Sequence, residues 1–188
     1  MQLGHEIAKL AGKILKPIRA GDDRLARAGE RSQAKLGVSS SSFGEGQPIP
    51  SRYAGPNGVS PALAWTGLPP GTREVAVLCE DPDAPFPKPF VHWVVYGLAP
   101  TTTNLPEGLP RDPHLPVGGT QGKNSTHGLG YTGPKPPPGH GVHHYHFEVF
   151  ALDAPVDLPP EADREDLISA MKGHVLALGE VVGTYEAT

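Results

Sequence analysis

The sequence predicts a mainly antiparallel β domain with helices at its periphery. Apolar runs of strand length recur at uneven spacing, each bounded by Pro, Gly or Asn breakers. The 23 prolines and 24 glycines among 188 residues are spread between those runs and do not fill one tract, which suits a loop-rich β fold. Strand-like runs come first and one helical pattern comes late, so the order is not the alternation that builds a parallel α/β sheet. About 190 residues is one domain's worth.

Leu3, Ile7, Leu10, Ile14 and Ile18 recur at helical spacing, with Lys9, Lys13 and Lys16 largely off that stripe, so residues 1–16 read as an amphipathic helix ended by Pro17. It is either a basic helix for a membrane surface or an arm packing on its own domain or on a second copy, the latter making a homodimer through this helix. A stripe without Trp or Phe favours the arm. Residues 22–34 read as a second short helix and 37–42 as a flexible entry. A helical extension, 1–38, thus precedes a β domain, 39–188.

Between Ile49 and Trp65 short extended pieces alternate with breakers such as Gly55-Pro56-Asn57-Gly58. Arg73–Glu80 and Val91–Leu98 read as strands apolar on both faces, hence buried. Residues 101–126 read as irregular, with a turn at 104–108. The Gly- and Pro-rich segment 128–141 reads as an ordered wall, since long structureless segments in compact domains are usually functional or disordered. Val142–Leu152 is a strand with His143, Tyr145, Phe147 and Val149 on one face. Leu167, Ile168, Met171, Val175 and Leu178 predict a helix capped near Asp163, followed by a short strand at 183–186.

A net charge of −4 provides no footprint for nucleic acid. Charges at Glu6, Lys9, Lys13, Lys16 and Arg19 interrupt any leader-like apolar core, and no later run approaches the ~18 apolar residues of a membrane span. The chain reads as soluble, cytoplasmic and not integral to a membrane. Its lone cysteine, Cys79, lies in an apolar run and reads as a small buried hydrophobe.

The stretch Asp81-Pro82-Asp83-Ala84-Pro85 stands out. Proline fixes its own φ and holds the preceding residue extended, so two carboxylates are set on a rigid loop between two strands. His92 follows at the start of the next strand, and His143-His144-Tyr145 is expected beside it. His140, His144 and His146 read individually as solvated. If Asp81, Asp83, His92 and His143 converge, carboxylates with neutral imidazoles suit Zn or non-haem Fe, and a metal-dependent enzyme is the alternative reading. No His-Glu-x-x-His helix, close Cys pair or Gly-x-Ser-x-Gly turn supports an enzyme.

Taken together, Ile49-Pro50, Ser60-Pro61-x-Leu63-x-Trp65, Asp81-Pro82-Asp83-Ala84-Pro85, His92-Trp93-Val94-Val95, Gly130-Tyr131-x-Gly133-Pro134, Pro136-Pro137-x-Gly139 and His143-x-Tyr145 resemble the phosphatidylethanolamine-binding protein family, in particular its bacterial Raf-kinase-inhibitor-like group. The resemblance runs from about Phe43 to Tyr185. It implies two packed antiparallel sheets and a small pocket, lined or supported by Asp81, Asp83, Pro85, His92, Pro137, His143 and Tyr145, for phosphate-like anions or phosphorylethanolamine head groups. It also implies a binding protein with no cofactor, not an enzyme, and a kinase or protease as a possible partner. In this expectation His92 and His143 donate to the anion, Asp81 and Asp83 orient them, Tyr145 adds a hydroxyl, and a spare Asp oxygen takes an ammonium group. Two positions depart from the pattern: His144 stands where the family usually has Arg, and Lys135 where bacterial relatives often have Cys.

Overall fold

The structure, a computed structural model, describes residues 2–29 and 34–187. Its element order is α1 (Gln2–Leu15), β1 (Ala34–Lys35), β2 (Gly37–Ser39), β3 (Leu63–Thr66), β4 (Glu74–Asp81), β5 (Phe90–Leu98), β6 (Asn104–Leu105), β7 (Thr120–Gln121), β8 (His143–Leu152), α2 (Arg164–Met171) and β9 (Val175–Tyr185). A six-stranded sheet runs β1-β9-β8-β4-β5-β7, and a three-stranded sheet runs β2-β3-β6. All pairings are antiparallel except β1 with β9.

Period-two alternation splits the large sheet's side chains between two cores. Val75, Val77, Cys79, Trp93, Tyr145, Phe147 and Val149 pack with Leu63, Trp65 and Leu105 of the small sheet. Ala76, Leu78, Val94 and Phe150 point the other way, against Leu167 and Met171 of α2. Every residue of β4 is buried, as its two-faced apolar pattern predicts. Asp163 caps α2, accepting from the backbone of Glu165 and Asp166, and Asp166 returns the bond to the Asp163 N–H.

Four segments differ from the sequence expectation, each for a local reason. Residues 22–29 form two 3-10 turns, Asp22–Arg24 and Ala26–Gly29, because the N–H groups of Ala26 and Arg27 donate to the carboxylates of Glu80 (2.8 Å) and Glu148 (3.3 Å) instead of continuing a helix. The rest of that predicted helix, 30–33, lies outside the described residues. The expected flexible entry contains β2, and β1 precedes it, so residues 34–39 contribute to both sheets. Asn104 and Leu105 form an edge strand before their turn. Val175 and Leu178 belong to a strand: α2 stops at Met171, Gly173 takes φ +82°, and β9 then pairs along nearly all of β8. A 3.6 period and a 2 period are not distinguished by so few apolar residues.

Helix α1 ends before Pro17 and packs on its own domain, but not by the predicted stripe. A Cβ at Gly12 would collide with the Pro138 carbonyl, and one at Gly139 would lie 2.6 Å from the Lys9 carbonyl oxygen. The helix therefore docks by a bare-backbone approach, and Ile7, Leu10, Ile14 and Ile18 stay exposed. The Leu3 side chain lies outside the described residues.

Candidate functional site

The topology explains why one end of the large sheet collects polar groups. β4 ends at Asp81, antiparallel β5 begins at Phe90, and antiparallel β8 begins at His143. The C-terminal end of one strand therefore meets the N-terminal ends of both neighbours. Beside them lies a cleft of about 360 Å³ whose lining includes Asp81, Pro85, His92, Pro137, His143 and Tyr145, six of the seven residues singled out in the sequence. Phe86, Phe90 and Pro136 complete an apolar wall, and Lys135 is exposed at the rim.

Asp81 locks the corner. Its Oδ1 accepts from the N–H of Asp83 (2.9 Å) and Ala84 (3.1 Å), and its Oδ2 accepts from His143 Nδ1 (2.7 Å). Both oxygens are engaged, so the spare acceptor expected for an ammonium group is not there. His143 Nε2 is also engaged, at 2.7 Å from His140 Nδ1. An imidazole held at both nitrogens has no N–H left for an anion. His143 is thus the middle of a buried Asp81–His143–His140 chain, and His140, expected to be solvated, is buried within it. Only the three-residue spacing of the two histidines hinted at this pairing.

Asp83 is not part of the cleft. Its Oδ1 takes Arg19 Nη1 at 2.9 Å, and its Oδ2 takes the backbone N–H (3.0 Å) and the Nδ1 (2.7 Å) of His144. Burial raises its pKa, but the bonds from His144, helped by Arg19, outweigh this and hold the carboxyl below its usual range. Asp83 therefore orients neither His92 nor His143. Its partner Arg19 lies in the N-terminal segment, which the sequence pattern sets apart from the site. His144 is half-exposed, and His146 is buried against Glu180, its Nδ1 at 2.9 Å.

His92 is oriented by a carbonyl, not a carboxylate. Its Nδ1 lies 2.7 Å from the Thr132 oxygen, which can only accept, so the Nδ1 carries hydrogen and the neutral ring presents a lone pair at Nε2. Burial pushes the His92 pKa down, partly offset by Asp81. That Nε2 and the nearby Tyr145 hydroxyl are buried without a partner, the two rings meeting edge-on at 5.0 Å between centroids. Burial, reinforced by Asp81, pushes the phenol pKa up, so Tyr145 remains a neutral donor. Unpaired buried polar atoms cost about 1–3 kcal/mol each, which marks them as waiting for a ligand atom or a water.

The metal alternative required four convergent ligands. Asp83 is turned away, and among the described residues no group of three or more His, Cys, Asp or Glu side chains is placed to hold a metal ion.

Residues 39–186 match the phosphatidylethanolamine-binding protein family. A UPF0098 protein of Methanothermobacter thermautotrophicus is 43% identical over 152 residues, 80% of this chain and 98% of the relative. Among solved structures, YbcL of E. coli, described as a member of the mammalian PEBP family, superposes with a TM-score of 0.77 at 31% identity, covering 82% of this chain and 100% of its own. A phosphatidylethanolamine-binding protein homologue of Chlamydia trachomatis gives 0.73 at 33% identity, covering 83% and 100%.

Proposed function

Because this chain belongs to the phosphatidylethanolamine-binding protein family, we propose that its cleft binds a small phosphate-bearing ligand at His92 and Tyr145, by recognition and not by catalysis. One observation carries the reading: two polar atoms on residues that line the cleft, His92 Nε2 and Tyr145 Oη, are buried with no hydrogen-bond partner.

The chemistry follows from their hydrogen inventory. Tyr145 donates to a phosphoryl oxygen. Neutral His92 has only a lone pair to offer, and a lone pair repels an anionic oxygen. Binding therefore brings one proton to this contact, either on His92 or on the phosphate itself. With that proton in place the His92–ligand contact is charge-assisted and correspondingly strong. His143 supports the seat indirectly, its ring stacked at 6.4 Å on Tyr145 and fixed by Asp81.

The rest of the cleft favours the phosphate end of a head group over an ammonium end. Asp81 is the one carboxylate among the lining residues, and both its oxygens are committed. Pro85, Phe86, Phe90, Pro136 and Pro137 give an organic substituent an apolar seat instead.

Calorimetry with inorganic phosphate, phosphorylethanolamine, an aryl phosphate and vesicles of phosphatidylethanolamine tests the proposal and separates free anion from lipid. Expected is binding of the phosphates, the aryl ester at least as tight as phosphorylethanolamine, and a loss of about ten-fold or more for His92→Ala and Tyr145→Phe. Undiminished binding in both variants sinks it.

A further inference from the structure

The apolar stripe of α1 points away from the molecule. On a helical wheel at 100° per residue, Ile7, Leu10 and Ile14 lie opposite Gly12, the point at which the helix backbone meets Pro138 and His140. Ile7, Leu10 and Ile14 are 61%, 61% and 67% exposed, and Ile18, just beyond the helix, 48%. A helix that docks with its small-residue face and shows its branched aliphatic face to water is inverted relative to ordinary amphipathic packing.

The charges beside the stripe indicate what covers it. Lys9 and Lys13 follow one another along one flank, Lys16 lies just past the helix on its docked side near Gly141, and among the described residues none of the three has an ion-pair partner. Glu6 is the only carboxylate in the first twenty residues, in a chain whose net charge is −4. Residues 1–20 thus carry a formal charge of +3, from four Lys or Arg and one Glu, while the remaining 168 carry −7, from twelve Lys or Arg and nineteen Asp or Glu. A second copy is a poor occupant: antiparallel α1 helices would bury only a few aliphatic side chains each, far short of the ~1,200 Å² of a stable interface, with two lysine rows brought together.

We propose that α1 is an in-plane anchor for an anionic lipid surface, its Ile7-Leu10-Ile14-Ile18 stripe sinking between acyl chains while Lys9 and Lys13 reach lipid phosphates and Lys16 adds to the local positive charge. Aliphatic insertion with snorkelling lysines is the physics of such helices. The anchor acts independently of the cleft. Since α1 packs on residues 138–140, next to the Pro136–Pro137 wall, it also holds the molecule with that wall close to the bilayer.

Cosedimentation of the full chain with phosphatidylcholine vesicles, with and without phosphatidylglycerol, tests this. Expected is binding to the anionic vesicles only, weakened by salt and reduced about ten-fold or more by Leu10→Ser with Ile14→Ser, and likewise by Lys9, Lys13 and Lys16 all→Gln. Circular dichroism checks that the variants stay folded, and the exposed positions make this the expectation. His92→Ala binds the vesicles as wild type does, so failure of the phosphate seat and failure of the anchor are separate results. No binding, equal binding to neutral vesicles, or binding untouched by the serine variant overturns the proposal. So does a dimer in sedimentation velocity that the serine variant dissolves, which assigns the stripe to a second copy.

Discussion

Asp81 and His143, 62 positions apart, are joined by a 2.7 Å bond between Oδ2 and Nδ1, and the same carboxylate closes the Asp-Pro-Asp turn with its other oxygen. One side chain thereby ties the end of β4 to the start of β8. It fixes His143, whose ring stacks on Tyr145, and so sets the phenol's direction. Asp81→Asn keeps an acceptor for the turn but must turn its amide N–H₂ toward the Nδ1–H of His143. We expect a loss of about 1–3 kcal/mol in urea unfolding and weaker phosphate binding. Wild-type stability and affinity in this variant would show that the bond matters to neither.

Phosphate affinity should fall as pH rises through the neutral range. His92 is depressed by burial, so the free cleft holds it neutral at pH 7, whereas the complex holds one more proton at the contact. Affinity then drops by at most about ten-fold per pH unit above the free pKa of the carrier, His92 in one case and the phosphate in the other. Sulfate, which carries no titrating proton in this range, separates the two possible carriers. The same slope with sulfate assigns the proton to His92, and a flat profile assigns it to the phosphate. A flat profile with both anions contradicts the proposed seat.

The convergence of Asp81, His92, His143 and Tyr145 was legible because proline fixes the corner and antiparallel neighbours bring strand ends together whatever the loops do. The direction of each side chain was not. Asp83 and Asp81 are both acidic residues beside Pro82, and only the path of residues 16–21 decides that one faces Arg19 while the other faces His143. His140 sits in a Gly- and Pro-rich segment whose course no periodicity dictates. The docking of α1 through Gly12 was invisible for a related reason. Hydrophobic pattern predicts which face is apolar, not which face is buried, and a glycine contact leaves no apolar signal.

Glu148→Gln should stabilise the protein, and more so at higher pH. Burial, then Glu80 and Glu180, pushes the Glu148 pKa well up, and its Oε2 is buried without a hydrogen-bond partner. Between about pH 4.5 and the raised folded value, the folded state binds more protons than the unfolded chain, so stability falls as pH rises across that window. Each pH unit inside it costs about 1.4 kcal/mol. Glutamine mimics the protonated acid and removes the slope. Urea unfolding at pH 5 and pH 8 checks this: a variant no more stable than wild type at pH 8 refutes it.

Gly12→Leu is expected to free α1 without unfolding the β domain. The added side chain has no room against the Pro138 carbonyl, whereas the exposed face of the helix is unchanged and the sheets do not involve it. Little buried surface goes with the helix, since among its residues from Gly4 on only Gly12 is buried and Ala8, Lys9 and Leu15 are half-buried. A stability change below about 2 kcal/mol follows, much smaller than for a buried core truncation. Trypsin then cuts after Lys9 or Lys13 faster than in wild type, leaving a resistant β domain, while the bond after Lys16 is protected by Pro17. The Arg19–Asp83 pair is half-exposed, worth about 0–1 kcal/mol, and cannot hold the segment in place alone. If the wild type and Gly12→Leu are cleaved at equal rates, the helix is not held at Gly12, and the outward-facing stripe loses its structural basis.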